Sequence, residues 1–96
     1  MVELSRKWSK RGAELANSGR FEQAIDCFDI AIRSEPRYAP AWRNKAAVLI
    51  QMGSNKKALK YLDKAIELNP VFAKTWNIKA LALQNLGRYA EAVACC

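Results

Sequence analysis

Few side chains in this 96-residue sequence could do chemistry. It contains no histidine, which excludes imidazole-based catalytic triads, zinc sites with a histidine ligand and histidine pH switches. The cysteines Cys27, Cys95 and Cys96 are odd in number and lack CxxC spacing, and neighbouring cysteines rarely bond to each other because the linking peptide is strained. We interpret them as reduced, structural thiols and expect no metal and no cofactor. A redox or metal role of Cys95 and Cys96 is the weaker alternative.

Other arrangements typical of an active site are missing from the sequence. The four glycines stand singly, without GxGxxG or GxxxxGK[ST] spacing, so no phosphate-binding loop is predicted. Asp29 and Asp63 lie 34 residues apart on predicted helices of different structural units. A surface or helix-pairing role therefore suits them better than general acid or base catalysis. We expect a non-enzymatic protein.

Trp8, Trp42 and Trp76 have several basic neighbours, and aromatic rings interleaved with lysine and arginine can stack on the bases of single-stranded nucleic acid. These neighbours are Lys7, Lys10, Arg43, Lys45, Lys74 and Lys79. The tryptophans also recur every 34 residues, and a large aromatic at one repeated helix position normally fills the space between packed helices. Core packing is the favoured interpretation, and nucleic-acid binding is the main alternative.

The 34-residue interval extends through the whole sequence. Residues 5–62 compared with residues 39–96 give 16 identities in 58 pairs, which indicates a duplication. The positions that coincide in three units are Leu15, Leu49 and Leu83; Gly19, Gly53 and Gly87; and Ala24, Ala58 and Ala92. In the second unit, apolar residues recur every three or four positions over 42–50 and again over 58–66. The pattern predicts a helix, a turn at glycine, a second helix, and a stop at Pro36 or Pro70.

These features resemble the tetratricopeptide repeat family, with an early tryptophan in the first helix, a leucine one heptad later, and the small-large-small series Ala24, Phe28 and Ala31 in the second. The resemblance implies an all-α fold, a right-handed α-solenoid of antiparallel helix pairs. One domain would span residues 1–96, with repeats at 5–38, 39–72 and an incomplete 73–96. Repeat arrays generally need a polar capping helix, and none follows the incomplete third repeat. We therefore expect the chain to be cut from a longer protein. Its uncapped C-terminal end could also self-associate.

The resemblance further implies a protein-protein interaction module, a scaffold or adaptor, whose first helices line a concave groove. Amide side chains there can satisfy a peptide backbone, and arginine or lysine can pair with carboxylates, so we expect an extended, acidic peptide segment of a partner protein. Plain solvated helix faces are the alternative. Carried over residue by residue, the groove consists of Arg6, Ser9, Lys10, Ala13 and Asn17; Arg43, Asn44, Ala47 and Gln51; and Lys74, Asn77, Ile78 and Leu81.

One subfamily holds the C-terminal carboxylates of chaperone tails with five lysine, asparagine and arginine residues on successive first helices. Asn44 and Lys74 match two of those five positions. Ser9, Ala13 and Ile78 do not match the other three. We therefore expect no strict recognition of a peptide C-terminus.

The net charge of +7 is unevenly distributed: residues 1–38 contain seven basic and six acidic side chains, and residues 39–96 contain nine and three. Lys56, Lys60 and Lys64 form a stripe on one predicted helix face, which should be convex and exposed. Such a stripe could attract RNA or an acidic partner, although Asp63 and Glu67 interrupt it. A regulatory or assembly segment of a larger enzyme is a further alternative. The charged N-terminus does not resemble a secretion signal, so we expect a cytoplasmic protein without membrane insertion.

The small-residue positions allow a test of the predicted helix pairing. Replacing Ala58 by leucine should overpack the two helices of the second unit and lower the free energy of unfolding by about 1–3 kcal/mol. Thermal unfolding followed by circular dichroism measures this change. A melting temperature equal to that of the parent chain would contradict the predicted fold.

Overall fold

A computed structural model describes residues 2–95, and over this range the chain forms six α-helices. This confirms the predicted all-helical solenoid. The helix starts repeat at the predicted interval, since α3 begins at Ala39 and α5 at Ala73. The helices are α1 (Val2–Asn17), α2 (Phe21–Ser34), α3 (Ala39–Gln51), α4 (Asn55–Leu68), α5 (Ala73–Asn85) and α6 (Tyr89–Ala94).

A glycine ends the first helix of each pair. Gly19, Gly53 and Gly87 have φ angles of 78°, 87° and 78°, a left-handed backbone conformation that favours glycine. After the first of them, the N–H of Arg20 donates to the carbonyl of Leu15 at 2.9 Å, and the same bond recurs in the other two units. This motif satisfies carbonyls at the helix end and reverses the chain within a few residues. The two helices of a unit therefore pack antiparallel.

Proline marks the connection between units. α2 and α4 each end two residues before a proline, because proline has no N–H to continue the helix. The carbonyl of Pro36 accepts a hydrogen bond from the indole N–H of Trp42 at 2.8 Å. The carbonyl of Pro70 accepts the same bond from Trp76 at 2.7 Å. The repeated tryptophan thus fixes the start of each following unit against the connection before it.

The helices form two layers. Among the described residues, α1 contacts α3 and α3 contacts α5, whereas α2 and α4 contact only first helices. The buried residues accordingly form three small clusters rather than one central core. Val48 of the second unit belongs to the first cluster, and Ala82 of the third unit belongs to the second. The cores of the first and second units are therefore each completed by the following unit, as in other solenoids.

In the first helix pair, a large side chain on α2 packs against a glycine on α1. Phe28 of α2 is fully buried, and a Cβ built at Gly12 of α1 would lie 2.5 Å from its Cε1 atom. In the second unit the equivalent residues are Leu62 and Ala46, both buried in the same cluster. The smaller side chain on α4 leaves room for a methyl group on α3. In both units, a small residue on the first helix therefore accommodates the large residue on the second.

This complementarity predicts a coupled pair of substitutions. Gly12→Ala would gain up to about 1 kcal/mol of helix propensity, but the clash with Phe28 should outweigh it and leave a net loss of about 1–2 kcal/mol. Phe28→Leu alone should also destabilise, because it leaves a cavity. Urea unfolding of the double variant, which recreates the Ala46 and Leu62 arrangement, should show a free energy close to that of the parent chain. Purely additive losses would contradict the proposed packing.

An ion pair at each junction connects the second helix of one unit to the first helix of the next. The Nζ atom of Lys45 lies 2.6 Å from an Asp29 carboxylate oxygen, and that of Lys79 lies 2.8 Å from Asp63. Lys45 is only 8% exposed, with its Nζ 4.3 Å from the centre of the Tyr61 ring. Burial alone would lower the pKa of Lys45, but its hydrogen bond to Asp29 and the neighbouring Tyr61 raise it. Both aspartates therefore have helix-pairing roles.

The two junctions provide matched variants with different burial. Asp29→Asn leaves the buried ammonium of Lys45 without its counter-ion and should cost about 2 kcal/mol. Asp63→Asn affects a more exposed pair, with side chains 24% and 61% exposed, and should cost less than about 1 kcal/mol. Chemical denaturation at neutral pH measures both. Equal losses would show that burial does not control the strength of these junctions.

Candidate functional site

The layer of first helices has an open cavity of about 310 Å³. It lies between the C-terminal halves of α1 and α3 and the middle of α5, and Phe28 of α2 forms part of its floor. Small side chains on two facing helices leave this space. The lining residues are Ala13, Ala16, Asn17, Phe28, Asn44, Ala47, Val48, Ile50, Gln51, Ile78 and Leu81.

The cavity combines an apolar floor with amide groups. Phe28 and Val48 are buried beneath it, and no charged side chain lines it. The amides of Asn17, Asn44 and Gln51 make no side-chain hydrogen bond with any residue in the range 2–95. Such a surface can enclose an apolar side chain while the amides bond to a peptide backbone.

The cavity brings together most of the uncharged residues predicted for the groove. These are Ala13, Asn17, Asn44, Ala47, Gln51, Ile78 and Leu81. The charged predictions lie elsewhere: Arg6, Lys10 and Lys74 are exposed on the first helices, outside the lining. Asn77 lines a second cavity of about 290 Å³ beside Tyr89 and Val93 of α6.

The position of Ser9 corrects one of these predictions. Its side chain is 4% exposed, so it does not contribute to the groove surface. Its Oγ is buried and has no hydrogen-bond partner within the described part of the chain. A short side chain at this helix position stays below the surface, whereas Asn77, two repeats later, is exposed.

Sequence reasoning missed four residues of the cavity, Ala16, Phe28, Val48 and Ile50. They belong to the apolar stripes that predict the core, and a groove floor has the same composition as a core. The available signal was the alanines of α1 and α3, because small residues on facing helices leave space between them.

Arg43 lies apart from the main cavity. Its guanidinium carbon is 4.7 Å from the centre of the Phe72 ring. With Phe72 it lines a smaller cavity of about 170 Å³, together with Ala39, Pro40, Asn69 and Thr75. Burial lowers the pKa of Arg43.

The tryptophans contribute to packing. The indole N–H groups of Trp42 and Trp76 are bonded to proline carbonyls, and the Trp42 ring centre lies 5.7 Å from that of Tyr61. Trp8 is half-buried against the first cluster. On the outer face, Lys56 and Lys60 are exposed and Lys64 bonds to Glu67 at 3.4 Å. These contacts favour packing over base stacking.

Burial raises the pKa of the Cys27 thiol, which disfavours a reactive thiolate. Cys95 is half-buried, and Cys96 lies outside the described residues. Within residues 2–95, no three histidine, cysteine, aspartate or glutamate side chains are grouped to hold a metal ion. No helix in that range has the length and apolar character needed to cross a bilayer.

Comparison with curated protein sequences gives no match. Solved structures are similar over nearly the whole chain. The second tetratricopeptide domain of Spaghetti, bound to the HSP90 peptide SRMEEVD, has a TM-score of 0.93 and 23% identity over 98% of this chain and 87% of that one. The TPR2B domain of yeast Sti1, in a pHsp70 complex, has a TM-score of 0.92 and 26% identity over 97% and 74%. The Sgt2 domain from Aspergillus fumigatus has a TM-score of 0.90 and 24% identity over 95% and 60%.

Family models agree with the structural similarity. Two tetratricopeptide repeat models match the sequence, one at residues 10–70 and the other at residues 61–94. The first covers more than half of the chain, and the 34-residue period, the glycine turns and the paired helices account for the match. The chain belongs to the tetratricopeptide repeat family.

Proposed function

We propose that the chain is a non-enzymatic protein-interaction module that binds an extended peptide segment of a partner on its layer of first helices. The observation that carries this proposal is the open cavity with an apolar floor and three unbonded amide side chains. It can hold one apolar side chain of the peptide, while Asn17, Asn44 and Gln51 bond to the peptide backbone. Burial of an apolar anchor supplies most of the affinity in such sites.

Charge near the cavity supports a preference for acidic peptides. Arg6, Lys10 and Lys74 are exposed and form no ion pair within the described residues. Lys10 precedes Ala13 by three residues and Lys74 precedes Ile78 by four, so both share a helix face with cavity residues. Acidic residues that flank the apolar anchor would be attracted to these cations, and the effect is stronger in low salt. The HSP90 peptide bound by the similar Spaghetti domain contains the acidic sequence EEVD.

A displayed library of random dodecapeptides tests this function. Selected peptides should share an apolar residue with acidic residues nearby. In fluorescence anisotropy, Ala47→Trp should weaken binding at least about tenfold because the indole fills the cavity. Lys74→Glu should weaken it about threefold through charge reversal at an exposed site.

Lys57→Glu is the matched control, because it makes the same charge change at an exposed position on α4, in the outer layer. It should leave the affinity unchanged. Selected peptides that bind Ala47→Trp as tightly as the parent chain would disprove the proposed site. If the chain instead binds a single-stranded oligonucleotide with steep salt dependence and Lys57→Glu reduces that binding, nucleic-acid binding by the outer face replaces this proposal.

A further inference from the structure

Arg43 is an incompletely satisfied cation at the edge of the peptide-binding layer. Its Nε is buried and has no hydrogen-bond partner, and no other residue in the described range forms an ion pair or hydrogen bond with its guanidinium group. The group lies 4.7 Å from the centre of the Phe72 ring, within a cavity of about 170 Å³. An arginine held in this way retains donors that remain to be satisfied.

The two lysines at the junctions between units differ from Arg43. Lys45 and Lys79 lie at equivalent positions of successive units, and each bonds to an aspartate of the preceding unit. Arg43 is also partly removed from water, which is why burial lowers its pKa. The chain therefore provides a counter-ion at both junctions but none at Arg43. A ligand that supplies the missing anion would recover the cost of this desolvation.

The geometry of the cavity suits a carboxylate. A guanidinium group presents paired N–H donors in one plane, which match the two oxygens of a carboxylate. The guanidinium group lies over the Phe72 ring, and Ala39 and Pro40 of α3 line the same cavity. Val71, which precedes Phe72 in the sequence, is an 87% exposed apolar residue. A compact carboxylate on an extended peptide fits this arrangement.

The position of Arg43 on α3 relates it to the main cavity. It precedes Ala47 by one helical turn on the same helix face, and its neighbour Asn44 lines that cavity. Four residues correspond to about 6 Å along the helix axis. A peptide that runs along α3 in extended form advances about 3.3 Å per residue, so this separation corresponds to about two peptide residues. Side chains two residues apart also point to the same side of an extended strand.

We propose that Arg43 binds the side-chain carboxylate of an aspartate or glutamate located two residues from the apolar residue in the main cavity. This inference rests on the proposed peptide-binding function and specifies which peptide sequence is bound. The recognised peptide sequence is an apolar residue, then any residue, then an aspartate or glutamate, or the same three in reverse order. Arg43 selects the position of the acidic residue in the peptide, whereas the exposed lysines nearby attract acidic peptides without selecting a position.

An array of decapeptides with acetylated and amidated ends tests the spacing. Each has a central leucine and one glutamate moved through the other positions, with alanine and serine elsewhere. Binding to the parent chain should be strongest with glutamate two residues from leucine on one side. Arg43→Met should weaken that peptide about tenfold and remove the positional preference. The glutamine version should bind both proteins equally.

Arg33→Met, at an exposed site on α2, is the control for loss of an arginine, and thermal unfolding checks that each variant is folded. Arg43→Lys keeps the charge without the paired donors and should give an intermediate affinity. Equal losses for the glutamate and glutamine peptides, or a preference that persists in Arg43→Met, would overturn the inference while leaving the peptide-binding function intact. A neutral peptide with a free C-terminus that depends on Arg43 would overturn the side-chain assignment in favour of a terminal carboxylate.

A second measurement does not require a peptide. In NMR spectra, the guanidinium N–H signals of Arg43 are identified by their loss in Arg43→Met. They should shift with sodium acetate and stay unchanged with sodium chloride at equal ionic strength. If no leucine peptide binds but this shift occurs, the proposed function fails and the carboxylate site stands. Without an acetate-specific shift, the assignment of Arg43 is overturned.

Discussion

The first and second helix pairs of this chain each depend on the next pair to bury their apolar face. A pair on its own would leave Leu15, Cys27 and Phe28 open on one side, and Val48 of the following unit closes that side. Ala82 does the same for the second cluster. Since the closing residue of both clusters comes from the following unit, the relative position of successive units is fixed by packing. The ion pairs and the tryptophan bonds to proline carbonyls then strengthen a register that packing has already set.

This register positions the candidate binding surface. The main cavity draws residues from three first helices, so it exists only while those helices keep their relative positions. Its rigidity reduces the conformational entropy lost when a flexible peptide binds. The cavity of Arg43 depends on the same junction, because Arg43 comes from α3 and Phe72 from the connection before α5. Stability of the junctions and shape of the binding surface therefore have a common origin.

The sequence predicts the elements better than it predicts the contacts between them. Gly19 and Pro36 signal the ends of helices through local backbone chemistry, so a periodic pattern locates them. The repeated Asp29 marks a structural position, but its partner Lys45 becomes evident only when two units are placed together. Ser9 and Arg43 occupy equivalent positions of two repeats, but only Arg43 lines a cavity, because the length of the side chain decides whether it reaches one. The stacking of Arg43 on Phe72 joins residues of different units and depends on side-chain conformation, which periodicity does not report.

At the three glycine turns, the left-handed backbone conformation disfavours other L-residues, although there is space for a side chain. A Cβ built at Gly19, Gly53 or Gly87 finds no atom of another residue within 4 Å, yet each has a positive φ that an L-residue rarely adopts. A residue of opposite chirality prefers this backbone conformation, and the open surroundings would accept its side chain. D-alanine introduced by chemical synthesis would therefore preserve the turn while restricting the unfolded chain. In this solenoid, the reversal points are sites where mirror-image amino acids fit the native architecture better than any genetically encoded replacement for glycine.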